Sequence, residues 1–368
     1  VIKVLVVDDS SFMRNALIRI LRRDPELEVV GSAADGLDAI EAIKRLDPDV
    51  VTLDVEMPRM DGLTALQHIM RDLPRPVLMV SALTSHGAET TLKALDAGAV
   101  DFVGKPGSGS TDIAAVELEI CQKVKAVSRH RKALALRAKL RTLPADSSTA
   151  LKHRPSPVAQ PFSSREVTPV IRPSGRRQTR DFVAIGVSTG GPPAVQKVLS
   201  AFPEDFPAPI LIAQHMPASF TGPFADRLNS ICKISVKEAE DGEKAREGCA
   251  YVCPGGRHIR ISSKLSSRTI VISENPKEAL YKPSATELMA SVGEQIGSRA
   301  LGVILTGMGS DGATGVEILK RHGGRALAQS EATCVVYGMP KAIVDARLAD
   351  EVVDLDDIAA AIMDNLHK

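Results

Sequence analysis

Aromatic residues are scarce in this chain, at 3% of 368 residues, with three tyrosines and no tryptophan. With no recognisable helix-turn-helix pattern beside that scarcity, nucleic-acid binding is not expected. Cysteine is also sparse and scattered: Cys121, Cys232, Cys249, Cys253 and Cys334. An odd number without a framework fits a reducing cytoplasm, so a cytoplasmic protein is expected. Cys249 and Cys253 raise a zinc reading, but no second Cys or His pair stands at finger-like spacing. Buried or strand-edge thiols are the preferred reading. No apolar run reaches the length of a membrane span, so any membrane association is expected through a partner. The opening Val1–Asp8 is too short and too soon acidic for a signal peptide and reads as a buried strand. Strong charge of one sign is missing too: the formal net charge is +1.

What is present is length, apolar content and alternation. A chain of 368 residues, 44% hydrophobic and 25% charged, is long for one domain and suits two soluble ones. Val4–Val7, Val29–Ser32, Val50–Leu53, Val77–Val80 and Asp101–Val103 look like short buried strands. Helix-period segments such as Gly36–Leu46 separate them. Such alternation predicts a parallel sheet with helices on both faces. From about Lys123 to Arg180 the pattern fades into Pro, Ser, Thr and Arg, with helix persisting over Lys132–Leu140 before a flexible linker. This stretch holds fifteen Lys and Arg against two acidic residues, so the remainder is acidic by about a dozen charges. A basic tether can dock on acidic domains or serve as a self-repelling spacer. Alternation resumes at Asp181. Phe182–Val187, Pro209–Gln214, Thr269–Ser273, Leu301–Thr306, Arg325–Ala328 and Glu351–Asp354 read as strands of a second α/β domain, with helices over Pro193–Leu199 and Ser284–Val292.

Asp8 and Asp9 follow the first strand, Asp54 follows the third, Ser81 ends the fourth and Lys105 follows the fifth. All fall where parallel strands deliver side chains to one edge. Clustered carboxylates suit a hard cation such as Mg²⁺, which would counter the charge of a phosphoryl group arriving at Asp54. A Lys ammonium and a Ser hydroxyl can then hold the new phosphoryl oxygens. The assembled chemistry is phosphoryl transfer onto a carboxylate.

Three strands of the second half end in the parts of a hydrolytic triad: Ser188 after Val187, His215 after Gln214, and Asp311 in the loop Thr306-Gly-Met-Gly-Ser-Asp-Gly312. A nucleophile, a base and an orienting acid are what acyl transfer needs. Gly186-Val-Ser188-Thr-Gly190 matches the G-x-S-x-G turn from strand to helix. The helix starting near Pro192 aims its first amides at the site, and Pro192 and Pro193 suit a first turn. The order Ser, His, Asp is not that of the α/β-hydrolases, in which the acid precedes the His. A dinucleotide site fails, because Gly186–Gly191 is not G-x-G-x-x-G and His215 stands near where an acid is wanted. His258, after Pro254-Gly-Gly-Arg, is the rival to His215, and His322 before Gly323-Gly324 reads as a helix cap. The loop around Asp311 is compatible with a plain turn or a phosphate cradle as well.

Asp54-Val-Glu-Met-Pro-Arg-Met-Asp-Gly62 with Lys105-Pro106 resembles the response-regulator receiver family over residues 2–122. The resemblance implies Asp54 as phosphoacceptor. It implies Mg²⁺ held by the side chains of Asp9 and Asp54, by the Glu56 carbonyl and by Asp8 through water. Ser81, Phe102 and Lys105 match switch positions, and Lys105–Pro106 is a place for a cis bond. Ser188-Thr-Gly-Gly, Gln214-His-Met-Pro217, Pro254-Gly-Gly-Arg-His258 and Leu305–Ala313 resemble the chemotaxis protein-glutamate methylesterase family over residues 181–368. This implies Ser188 as nucleophile, His215 as base and Asp311 as orienting acid, with Thr189 and Met308 in the oxyanion and substrate region.

The expected architecture is therefore two doubly wound parallel-sheet domains, a flavodoxin-like receiver over 1–125 and a larger three-layer α/β catalytic domain over 180–368. A basic linker over 126–179 joins them. The implied function is a phosphorylation-activated esterase, cofactor-free at the ester step, that demethylates chemoreceptor glutamate esters and deamidates receptor glutamines. Its partners would be the receptors and a histidine kinase, with the receiver occluding the site until Asp54 is phosphorylated. The competing readings are an inactive binding module and a DNA-binding regulator.

Overall fold

Val4, Leu5, Val6 and Val7 have no exposure at all, as a strand covered on both faces requires. They begin the first of two units into which the chain divides. The structure, a computed structural model, describes residues 1–82, 84–105, 113–131, 179–264 and 267–367. The helix expected over Lys132–Leu140, most of the basic linker, and Pro106 with its bond to Lys105 lie outside the described residues.

The first unit alternates β1 (Ile2–Val7), α1 (Ser11–Leu21), β2 (Leu27–Ala33), α2 (Gly36–Leu46) and β3 (Val50–Asp54). It continues with α3 (Gly62–Asp72), β4 (Val77–Ser81), α4 (Ser85–Asp96), β5 (Asp101–Gly104) and α5 (Ile113–Ser128). Position 125, expected as the end of this domain, lies inside α5. The strands pair in the order β2-β1-β3-β4-β5, all parallel. The chain leaves β1 toward one edge and returns to β3 on its other side. The carboxyl ends of β1 and β3 therefore flank the crevice where such sheets take ligands. Local chemistry starts the helices. The Ser10 hydroxyl accepts from the Met13 amide, Asp35 from the Leu37 and Asp38 amides, and Asp61 from the Thr64 amide, each filling an orphan helix donor. Gly62 is required by close approach: a Cβ there would lie 1.9 Å from the Asp54 carbonyl oxygen.

The second unit opens with β6 (Phe182–Val187), α6 (Gly191–Ser200), β7 (Ile210–Gln214), α7 (Ala218–Ile231), β8 (Ser235–Glu238) and β9 (Cys249–Val252). Then follow β10 (His258–Lys264), β11 (Ser267–Ser273), α8 (Ala285–Ile296), β12 (Ala300–Ile304), α9 (Ala313–Arg321) and β13 (Arg325–Gln329). The last elements are α10 (Met339–Asp345), β14 (Glu351–Val353) and α11 (Ile358–Leu366). Seven strands form one sheet in the order β14-β13-β12-β6-β7-β9-β8, all parallel. Helices α6, α7 and α11 pack together, as do α8, α9 and α10. Right-handed crossovers put these two groups on opposite faces. Phe182, Leu211, Tyr251, Leu288, Met289, Val292 and Leu319 belong to one buried cluster against this sheet, each worth about 1.5–3 kcal/mol of burial. The sheet runs outward from β6 in both directions, to β7 on one side and β12 on the other. The carboxyl end of β6 is thus its topological switch point.

Three strands were not read from the sequence. β8, Ser-Val-Lys-Glu, is a short polar edge strand, the composition that edges use to avoid pairing with other chains. β9 is only four residues long. β10 reads as charged and polar, yet its Ile259 and Ile261 are buried. Thr269–Ser273, expected as a strand of this domain, is one, and it pairs antiparallel with β10 as a separate hairpin. Cys121 and Cys253 are buried and the other cysteines partly so, all as free thiols. Burial pushes the Cys334 thiol up to about 12, far from the reactive range.

Candidate active site and acidic pocket

Ser188 leaves β6 and reaches α6 through a three-residue turn. Its amide donates to the Thr306 carbonyl at 3.0 Å, and its carbonyl accepts from the Gly191 amide at 2.8 Å. The left-handed backbone of the turn falls on Gly190, at φ 73°, and not on Ser188. A side chain at Gly190 would be strained and would also meet Val335 at 2.4 Å. The serine is thus presented without strain at its own position. Buried Gln214 braces the arrangement from β7. Its Nε2 donates to the Ser188 carbonyl at 3.0 Å and to the His215 carbonyl at 3.1 Å.

His215 and Asp311 converge on this serine. His215 Nδ1 lies 3.1 Å from Ser188 Oγ, and Nε2 lies 2.8 Å from Asp311 Oδ2. Asp311 is neither a plain turn residue nor part of a phosphate cradle, the alternatives its loop allowed. Its carboxylate sits at the start of α8. Oδ2 accepts from the Ala285 amide at 2.6 Å, and Oδ1 accepts from the Thr286 amide at 3.0 Å. Oδ1 also accepts from Ser284 Oγ at 2.9 Å and from the Gly312 amide at 3.0 Å. Burial alone would raise its pKa, but His215, Thr286 and the Ala285 amide outweigh it and hold the carboxyl far below the usual range. Such a carboxylate only accepts, so Nε2 must carry the imidazole proton and Nδ1 must present its lone pair to Ser188.

The neighbouring residues support the same centre. Thr189 is 2% exposed. Met308 is half-buried beside Gly307, where a Cβ would lie 2.8 Å from that of Ser188. The rival His258 is fully buried, and burial lowers its pKa. Its Nδ1 accepts from the Ser284 amide at 3.3 Å, while Nε2 lies 3.3 Å from the Pro276 carbonyl. It is a strut behind Asp311, not a second base. His322 caps α9. Tyr281, which stacks on His215, Ser284 and Thr286 were not singled out from the sequence. Ser284-Ala-Thr-Glu287 does carry the capping-box signature of a helix start, and the Ser284 hydroxyl accepts from the Glu287 amide.

In the first unit, Asp8, Asp9 and Asp54 bring carboxylate oxygens within 4.8 Å of one another. Asp8 and Asp54 are buried and Asp9 is exposed. Lys105 Nζ lies 2.7 Å from Asp54 Oδ2 and 3.0 Å from Asp8 Oδ2. Burial pushes Asp54 up to about 6, and the like charge of Asp8 adds to it despite Lys105. Arg14 donates to the Asp8 and Asp9 carbonyls at 2.7 and 2.9 Å, fixing the turn after β1. Ser81 is fully buried at the end of β4, and Phe102 is 4% exposed on β5. Lys123 of α5 donates to the Phe102 carbonyl at 2.7 Å and lies 5.4 Å from its ring centroid. Glu56 is exposed just past β3.

Two family models match the chain: the response regulator receiver domain over residues 4–117 and the CheB methylesterase over residues 183–362. The protein-glutamate methylesterase/protein-glutamine glutaminase 1 of Oleidesulfovibrio alaskensis is 58% identical over 100% of both chains. A second such protein, from Nitratidesulfovibrio vulgaris, is 59% identical, again over 100% of both. Among solved structures, the catalytic domain of the Thermotoga maritima CheB methylesterase is 36% identical. It covers 50% of this chain and 98% of its own, with a TM-score of 0.49.

Proposed function

The chain belongs to the protein-glutamate methylesterase/protein-glutamine glutaminase family, and on that premise we propose that Ser188, His215 and Asp311 hydrolyse glutamate γ-methyl esters of chemoreceptors under control of phosphorylation at Asp54. The observation that carries this reading is the chain of hydrogen bonds from Ser188 Oγ through both His215 nitrogens to Asp311.

Ser188 Oγ attacks the ester carbonyl and passes its proton to His215 Nδ1. The resulting imidazolium faces the Asp311 carboxylate through Nε2–H. Collapse of the tetrahedral intermediate breaks the C–O bond, and methanol leaves with the proton from Nδ1. Water, deprotonated at the same nitrogen, then hydrolyses the acyl-enzyme. With a glutamine side chain the same steps release ammonia. General acid–base help of this kind is worth roughly 10²–10⁴ in rate. Thr189 and Met308 border Ser188 as the proposed oxyanion and substrate region, and the start of α6 favours negative charge there. No cofactor is assigned to the ester step.

The acidic pocket suits Mg²⁺ for a reason internal to the site. Three carboxylates gather there, Lys105 pairs with two of them, and burial together with the like charge of Asp8 holds Asp54 up near 6. Asp8, Asp9 and Asp54, with the Glu56 carbonyl, would hold the ion, which when bound supplies positive charge against the incoming phosphoryl oxygens. An Asp54 carboxylate oxygen attacks the phosphorus of the donor, a kinase phosphohistidine; the P–N bond breaks, the kinase imidazole leaves, and an acyl phosphate remains on Asp54. Lys105 and Ser81 receive the new oxygens, and Phe102 responds with them. The proposed division is a receiver over 1–125, a linker over 126–179 and the hydrolase over 180–368. It is supported by the separation of the strands β1–β5 from the strands β6–β14, which share no sheet. Among the described residues no helix is long and apolar enough to cross a membrane.

The test is methanol release from methylated receptor membranes. Wild type should release methanol, and Ser188→Ala, folded by its circular dichroism, should release none. Turnover near the wild-type rate in that variant would remove Ser188 from the mechanism.

A further inference from the structure

Hydrogen bonds at both nitrogens hold the His215 ring along one axis only and leave it free to rock about the line joining them. A third contact closes that freedom. The Tyr281 ring lies parallel to the imidazole, with centroids 4.3 Å apart and planes 11° apart. The far end of the same ring is close to the loop that carries Asp311, since a Cβ at Gly309 would lie 3.4 Å from the Tyr281 hydroxyl. Tyr281 is half-buried and therefore sits between the base and the loop of its orienting acid.

The segment bearing Tyr281 is fastened on both sides. The Gly256 amide donates to the Lys282 carbonyl at 3.1 Å. The buried His258 ring takes the Ser284 amide on Nδ1 and faces the Pro276 carbonyl with Nε2. These partners require one acceptor and one donor nitrogen, which is the neutral imidazole, and burial lowers the pKa of His258 in the same sense. Three residues past Tyr281, Ser284 binds Asp311. The stacked ring and the clamp on the acid are thus parts of one pinned loop.

We propose that Tyr281 is a positioning residue for the hydrolytic step. Its ring fixes the plane of the His215 imidazole so that Nδ1 points at Ser188 Oγ. Its π face lies against the imidazolium that forms when the serine gives up its proton, an arrangement worth about three- to thirty-fold in rate. The inference rests on the proposed roles of Ser188 and His215.

The test uses the full chain with Tyr281→Phe and Tyr281→Leu, and two readouts. One is steady-state methanol release from methylated receptor membranes. The other is the rate at which a fluorophosphonate labels Ser188, which needs the serine and its base but no receptor. Tyr281→Leu should lower kcat and the labelling rate together by about three- to thirty-fold, with KM within twofold. Tyr281→Phe, which keeps the ring, should stay within twofold of wild type. Leu280→Ser, on the same loop at an 85% exposed position, should label like wild type. If the unfolding temperature of Tyr281→Leu falls, Tyr281→Ala is the second truncation, and Tyr281→Phe remains the folded comparison. Wild-type kcat and labelling in the truncated variants would overturn the proposal. So would a rise confined to KM, or a loss in Tyr281→Phe equal to that in Tyr281→Leu. Absence of methanol from the wild type would instead count against the methylesterase reading, while the labelling series still judges Tyr281.

Discussion

Asp54 and Asp311 occupy similar places and live in opposite electrostatic worlds. Each lies at the carboxyl edge of a parallel sheet, beside the strand where the order reverses. Both are largely buried. Asp54 shares its pocket with Asp8 and Asp9 and pairs with Lys105. Burial and like charge push it up to about 6. Asp311 meets three donors at the start of α8 and the Gly312 amide, besides His215, and is held far below the ordinary range. The same side chain thus serves two ends. A buried acid crowded by like charge is suited to the proposed cation and phosphoryl group. An acid surrounded by donors is suited to stay anionic while, in the proposed mechanism, a proton passes through its neighbour.

The contrast can be broken most severely at Asp311. Asp311→Asn keeps the shape but offers His215 an amide in place of an obligate acceptor, so the imidazole is no longer held in the tautomer that faces Ser188. By analogy with other triads, kcat should fall by about 10⁴, read as methanol release, while phosphorylation of Asp54 continues unchanged. At Asp54 the effect is complete but confined to control. Asp54→Asn should abolish the stimulation given by acetyl phosphate with Mg²⁺ and leave basal hydrolysis in place.

Smaller is the effect of pH on Asp54, the proposed phosphoacceptor. The folded pKa of Asp54 is raised, so its anion destabilises the fold as pH climbs from the unfolded value of about 3.9 through about 6, and that cost persists at neutral pH. Relative to wild type, Asp54→Asn should therefore gain unfolding temperature at pH 7.5 and lose that gain as pH falls below 6. Phosphorylation by acetyl phosphate should decline over the same window, and Mg²⁺ should move the decline to lower pH. For Asp311 the sign is opposite: its stabilisation is present above the unfolded pKa and is lost only in stronger acid. The mildest change is Ser284→Ala, which removes one donor to Asp311 and the cap of α8. A loss of about 0.5–2 kcal/mol in stability should accompany a fall in kcat of a few-fold, with Asp54 phosphorylation untouched.

Both sites were legible in the sequence to different depths. Asp8, Asp9, Asp54, Ser81 and Lys105 all sit at strand ends, and strand ends of a parallel sheet converge by topology alone. Ser188 and His215 were legible for the same reason. Asp311 was placed but not explained, because its partners, the amides of Ala285 and Thr286, are backbone groups and leave no side-chain signature. Tyr281 and His258 lie in the segment around the β10–β11 hairpin, whose polar alternation hides a strand and whose path no periodicity predicts. What sequence cannot carry is the identity of contacts made through loops. That is also where the orientation of the His215 ring is decided.

The central claim is that chemistry at Asp54 governs hydrolysis at Ser188. It is tested most directly by methanol release from methylated receptor membranes, with and without acetyl phosphate and Mg²⁺, on wild type and Asp54→Asn. The account predicts that the phosphodonor raises release by wild type and leaves Asp54→Asn at its basal rate. Equal stimulation of both proteins, or none in wild type whose Asp54 is demonstrably phosphorylated, would contradict it.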